Sequence, residues 1–86
     1  MYLSLRQVED AVACLHESLA IRHVVGDRHG QATTLERLGS AWRSAGYPDR
    51  SRESLTEALL LFEELRDHVQ AEKIRAQLKE FTEVAG

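Results

Sequence analysis

Leu35-Glu36-Arg37-Leu38-Gly39-Ser40-Ala41-Trp42-Arg43-Ser44-Ala45-Gly46-Tyr47-Pro48 is the stretch that decides how this chain folds. Leu35, Leu38, Gly39 and Trp42 recur at the three- and four-residue intervals of one helix face. Gly46 ends that helix, because glycine accepts positive φ cheaply. Pro48 opens another, where a missing N–H costs nothing. Two helices joined by so short a link run back antiparallel. Gly39 lies in mid-helix, where glycine costs about 1 kcal/mol relative to alanine. The expected reason is a close helix–helix approach that needs the missing side chain.

The same pattern extends in both directions. Leu55, Ala58, Leu59, Phe62 and Leu65 carry the next helix from Pro48 to Leu65. Leu60 and Leu61 widen its apolar face, which predicts contact with helices on two sides. Asp67 with Gln70 three residues on has the form of a capping box and starts a last helix. Ile74, Leu78, Phe81 and Ala85 line one face of that helix. Glu72, Lys73, Arg75, Lys79, Glu80 and Glu83 cover much of the rest, the outer face that a terminal helix of a stack requires. Upstream, Val8, Val12, Leu15, Leu19 and Val25 predict a first complete helix from Val8 to Val25, with Ala11 and Ser18 on an adjoining strip. Gly26 caps it and Asp27 accepts backbone N–H groups of the next helix. That second helix runs from Arg28 or Gly30 to Ala45.

Tyr2, Leu15, Leu19, Val25 and Asp27 return forty positions later as Trp42, Leu55, Leu59, Leu65 and Asp67. A period of this length marks a helical repeat in which each unit buries its face on the next. Residues 1–6 are too few for a helix of their own, and under the shift they fall on Ala41 to Gly46, the end of a longer helix. The chain is therefore expected to start inside a repeat, as a piece of a larger protein would. The expected fold is all-α: one domain over 1–86, with antiparallel hairpins stacked as a short α-solenoid of about four helices. A partial repeat covers 1–25, a full repeat 28–65 and a capping helix 68–84.

The middle unit reads Leu35-x2-Leu38-Gly39-x2-Trp42-x3-Gly46-Tyr47-x3-Ser51-x3-Leu55-x2-Ala58, and this resembles the tetratricopeptide repeat. Ser51 stands for the usual small alanine, Leu55 for the usual aromatic, and Glu63 where the closing proline falls. The first unit supplies only Tyr2, Ala11, Leu15 and Ser18 at the corresponding phases, and the third only its first helix. The forty-residue period, with Ala20-Ile21-Arg22 followed by Gly26-Asp27-Arg28-His29-Gly30, is similar to a longer variant. That variant occurs in bacterial multidomain transcription regulators of the antibiotic-regulatory and signal-transducing ATPase type. There, a DNA-binding domain and a nucleotide-binding domain precede a C-terminal repeat array; neither domain's motifs occur in this chain. The resemblance implies a non-catalytic scaffold or sensor arm of a larger regulator. It would bind a protein or peptide segment, or dock on another domain of its parent and hold that domain inactive.

By the same resemblance, the groove-facing positions of the second helix are Thr33, Glu36, Ser40, Arg43 and Ser44. They lie away from Leu35, Leu38 and Trp42 and should reach solvent. One reading makes them an ordinary solvated face. The other makes them a peptide-binding strip in which Arg43 pairs with an acidic or C-terminal carboxylate. A second candidate surface is the face of Val8, Ala11, Val12 and Leu15, which lacks an evident covering helix. An open face of this kind invites a homodimer or an exchange of helices between copies.

Composition narrows the function classes. A hydrophobic content of 43% and a charged content of 29% suit a soluble globular chain. The net charge of −3 comes with scattered positive residues, so the basic stripe of a direct nucleic-acid binder is missing. No apolar run reaches the roughly 18 residues of a membrane span, and no signal peptide is recognisable. The lone Cys14 fits a reducing cytoplasm and lacks a basic neighbour to activate it. His16, His23, His29 and His68 lack the converging third and fourth ligands of a metal site. Trp42 and Tyr2 read as packing residues of their own units, and Glu63 and Glu64 point different ways on a helix. No phosphate loop, nucleophile elbow or metalloprotease motif is present. No enzyme and no cofactor is expected.

Overall fold

Gly26, Gly46 and Arg66 take positive φ of 76°, 87° and 60°, and these turns, spaced twenty residues apart, separate four helices. The structure, a computed structural model, describes residues 5–85, with side chains described at positions 6–7 and 9–81. The helices are α1 (Leu5–Val24), α2 (Arg28–Ala45), α3 (Pro48–Glu64) and α4 (His68–Ala85). No strand occurs among the described residues.

All three turns share one hydrogen-bond design. The Gly26 N–H donates to His23 O and the Asp27 N–H to Arg22 O, at 3.2 and 2.8 Å. Gly46 and Tyr47 repeat this with Arg43 and Trp42, and Arg66 and Asp67 with Glu63 and Phe62. This crossed pair satisfies carbonyls that the helix end would otherwise leave open. The next helix starts at once. Asp27 accepts the Gly30 N–H at 2.8 Å, Asp67 accepts the Gln70 N–H at 3.2 Å, and Pro48 occupies the first turn of α3. Links this short force consecutive helices to lie antiparallel, and each packs on the one before it. The molecule measures 32 × 29 × 17 Å. Its thin dimension accommodates about two layers of helix axes at the usual 8–10 Å spacing. A closed four-helix bundle would be that narrow in both transverse directions. Here the second extent is 29 Å and the main packing runs only between consecutive helices, so the hairpins stand side by side.

Val12, Ala32, Leu35, Leu38, Leu55, Ala58, Phe62, Ala71 and Ile74 form the buried core, drawn from every helix. Phe62 and Ile74 are fully enclosed, and each contributes about 2–3 kcal/mol through burial. The tightest approach is at Gly39. A Cβ there would stand 2.7 Å from Leu55 Cγ and 2.8 Å from Leu55 Cδ2. Trp42 is half-buried against the core, with Tyr47 edge-on at 5.5 Å and the Arg50 guanidinium over its ring at 5.2 Å.

Three expectations need revision. The first helix begins at Leu5, not Val8, because nothing in Leu5-Arg6-Gln7 breaks it; Tyr2 lies outside the described residues. Val12 is buried and Leu15 packs against the core, so α2 already covers part of the face expected to be open. Leu60, expected to touch a neighbouring helix, is 57% exposed. Among the described residues, no helix is long and apolar enough to cross a membrane.

Candidate functional site

The strip Thr33, Glu36, Ser40, Arg43 and Ser44 is divided by its surroundings. Ser40 and Ser44 are exposed, whereas Thr33 and Glu36 are half-buried. Thr33 turns its hydroxyl back to the His29 carbonyl at 3.1 Å. Arg43, the residue expected to receive a ligand carboxylate, donates to Glu80 of α4 at 2.9 Å and lies over the Phe81 ring at 5.2 Å. Its natural counter-ion is thus supplied within the chain. The start of α2 is held in a similar way, to the end of α3 and the turn that follows it. His29 meets Asp67 at 3.0 Å and stands edge-on to Phe62 at 5.5 Å, and Arg28 pairs with Glu64. Arg43–Glu80 ties α2 to α4 and His29–Asp67 ties it to the turn before α4, whereas Arg28–Glu64 ties α2 to the end of α3. Exposed pairs of this kind contribute little each.

Charge chemistry in the chain serves these joints. The Asp67 carboxyl is held below its ordinary value first by the His29 hydrogen bond and then by the Gln70 N–H. Asp27 is lowered first by the Gly30 N–H and then by Arg22, which donates to it at 2.7 Å. Arg75 is held more firmly protonated by Glu63 on α3 and, secondarily, by Glu72. The phrase Gly26-Asp27-Arg28-His29-Gly30 is therefore a working turn. A Cβ at Gly30 would meet Asp27 Oδ2 and the Arg22 guanidinium.

On another side of the molecule, α1 and α3 flank a groove of about 660 Å³ floored by α2. Leu19, Ala20 and Val24 of α1 face Leu60 and Leu61 of α3 across Leu35 and Gln31. His16, His23 and Glu57 edge it, with Gln31 Nε2 3.3 Å from His23 Nδ1. Its volume is that of a binding cleft, and its lining is mainly apolar with a few polar groups. Val24 is 84% exposed and Ile21 beside it 64% exposed. Single exposed hydrophobics are ordinary, but contiguous ones mark contact surfaces. The signal for this groove in the sequence was the double leucine at 60 and 61, together with His16 and His23 seven residues apart.

Of the other candidate face, Val12 is buried, Ala11 and Leu15 are half-buried, and the Val8 side chain is outside those described. Cys14 is exposed. Among the described residues, no three His, Cys, Asp or Glu side chains converge to hold a metal ion. His16 and His23 share the groove edge, while His29 is engaged by Asp67.

No family model matches the chain, and neither a curated protein nor a solved structure is significantly similar to it.

Proposed function

We propose that this chain is a non-catalytic protein–protein interaction module, a tetratricopeptide-like scaffold that receives an apolar segment of a protein partner. The carrying observation is the α1–α3 groove, where Val24 and Leu60 stay exposed beside Leu19, Leu35 and Leu61. An amphipathic helix laid in such a groove buries leucine-type anchors at helical spacing. The resemblance to repeats of bacterial transcription regulators makes another domain of a parent regulator, acting in the cytoplasm, the natural donor of that segment. The exposed Cys14 thiol is compatible with that reducing compartment.

A titration of the isotopically labelled chain with a leucine-bearing amphipathic helical peptide tests the reading. Amide shifts centred on Leu19, Leu35, Leu60 and Leu61, lost in Leu60→Glu, support it. Binding that ignores Leu60→Glu and Val24→Glu together sinks it.

Self-association is the second reading, favoured by Ile21, Val24 and Val25 at 64%, 84% and 70% exposure on one helix end. Sedimentation equilibrium separates the two. A monomer at millimolar concentration removes this alternative.

A further inference from the structure

The forty-residue period permits α1 to be compared with α3 position by position. Ser51, Leu55 and Ala58 of α3 are 0–1% exposed, with Gly39 of α2 set directly against Leu55. Their equivalents on α1 are Ala11, Leu15 and Ser18, and all three remain half-buried. The stripe thus keeps the residue sizes of a helix seat, and no helix among the described residues fills it as α2 fills the seat on α3. It is a different face of α1 from the wall of the groove, which is made by His16, Leu19, Ala20, His23 and Val24.

One substitution between the two seats says what differs in the occupant. On α3, Arg50 lies over the Trp42 ring of the helix it receives, at 5.2 Å. A cation over an indole face is attracted by the ring quadrupole. Forty residues earlier that position is Asp10, which is exposed. A carboxylate is repelled by the same ring face and attracted by a cation.

The chain cannot easily supply the occupant from a second copy. Head-to-tail docking would bring up α4, where Arg75 and Lys79 stand in the places of Leu35 and Gly39. A lysine side chain would then stand where Leu15 requires bare backbone. An antiparallel twofold pairing of α1 with α1 keeps each flank on its own side of the pair. Asp10 and Glu17, seven residues apart on one flank, would then meet their own like charges.

We infer that the Ala11–Leu15–Ser18 stripe of α1 is the seat for an amphipathic helix of a partner polypeptide, lying as α2 lies on α3. That helix carries a glycine facing Leu15 and a lysine or arginine facing Asp10.

The test uses the full 86-residue chain, isotopically labelled, and peptides copying residues 27–47. Each peptide is held helical by a staple between positions 33 and 37, on its solvent face. One peptide keeps Trp42 and the other carries Trp42→Lys. The lysine peptide should bind about threefold tighter, the scale of one exposed ion pair, with amide shifts centred on Ala11, Leu15 and Ser18. The order should reverse for the Asp10→Arg chain, which restores the Arg50 arrangement. Gly39→Leu in the peptide, or Ser18→Arg in the chain, should abolish binding; Ser18 lies outside the core, so the latter variant stays folded. Equal affinities in both chains, no binding of either peptide, or shifts centred on Leu60 and Leu61 would overturn the inference. So would stripe shifts that depend on the chain's own concentration, which would make a second copy the occupant.

Discussion

The Ser51 hydroxyl donates to the Gly39 carbonyl at 2.6 Å, across the buried contact between α2 and α3. Within a helix, a carbonyl bonded to the amide four residues on retains a second lone pair, and Ser51 uses it. The contact exists because Gly39 lacks a side chain and Leu55 fills the space. Gly39→Ala sets two effects against each other. Alanine gains about 1 kcal/mol in helix propensity, whereas overpacking a close-fitted core costs typically about 1–3 kcal/mol. Leu55 is 1% exposed and has nowhere to retreat, so the steric term wins. Urea unfolding should show a net loss of about 1 kcal/mol, partly recovered by adding Leu55→Val.

Ser51→Ala tests the other half of the contact. The hydroxyl is fully buried, and alanine fits the same space, so no cavity or clash is created. The Gly39 carbonyl keeps its helical partner, which limits the loss to roughly 1 kcal/mol, the usual net value of one hydrogen bond. Ser51→Val, which is larger and has no donor, should be clearly worse in the same measurement.

Arg66 occupies the left-handed position that glycine holds at 26 and 46. A non-glycine residue there costs about 1–2 kcal/mol, partly offset because glycine loses more backbone entropy on folding. Arg66→Gly should therefore stabilise the chain by about 0.5–1 kcal/mol in thermal or urea unfolding. Moving the arginine to Gly26 or Gly46 should destabilise it.

These turns show what the sequence could and could not disclose. Gly26, Gly46, Asp27, Pro48 and Asp67 signal their roles by residue type alone, because φ, missing donors and short carboxylates act locally. Gly39 was legible for a similar reason: its cost in a helix demands a compensating contact. Arg66 carries no such signal, and only its spacing twenty residues after Gly46 betrays the turn. The candidate site was harder. Arg43 looks available along α2, and its pairing with Glu80 depends on where α4 comes to rest. The groove between α1 and α3 likewise belongs to no single helix, so periodicity along one helix could not reveal it. Val12 appeared uncovered only because one helix face was assigned to one neighbour, whereas Leu15 is covered only in part. In a stack, adjoining faces of α1 serve different helices.

Asp27 and Asp67 give the chain an acid limb whose sign is fixed by their lowered pKa values. A carboxyl lowered from its ordinary 3.8 on folding favours the folded state above that value. The contribution is lost as pH falls from about 4 through the folded-state value. Asp67→Asn should be less stable than the parent at neutral pH, and the difference should vanish in acid. Circular-dichroism unfolding at several pH values between 2 and 6 checks it. A gap between the two chains that persists at pH 2 would show that His29 and Gln70 do not act through the carboxylate charge.

Leu60 offers the cleanest separation of surface from scaffold. Its side chain is 57% exposed on the edge of the groove, so Leu60→Glu removes little buried area. Stability should stay within about 0.5 kcal/mol of the parent, as for surface changes outside core and caps. The groove's apolar lip is nonetheless broken, because Leu60 faces Val24 across the opening. An environment-sensitive apolar dye should bind the folded parent, whose groove of about 660 Å³ is large enough to admit it. Leu60→Glu should weaken that binding severalfold, and Val24→Glu with Leu60→Glu should abolish it, at an unchanged unfolding midpoint. Leu35→Glu is the contrasting control: it buries a charge in the groove floor and should unfold the chain outright. Dye binding that survives the double variant would move the contact surface away from the α1–α3 groove.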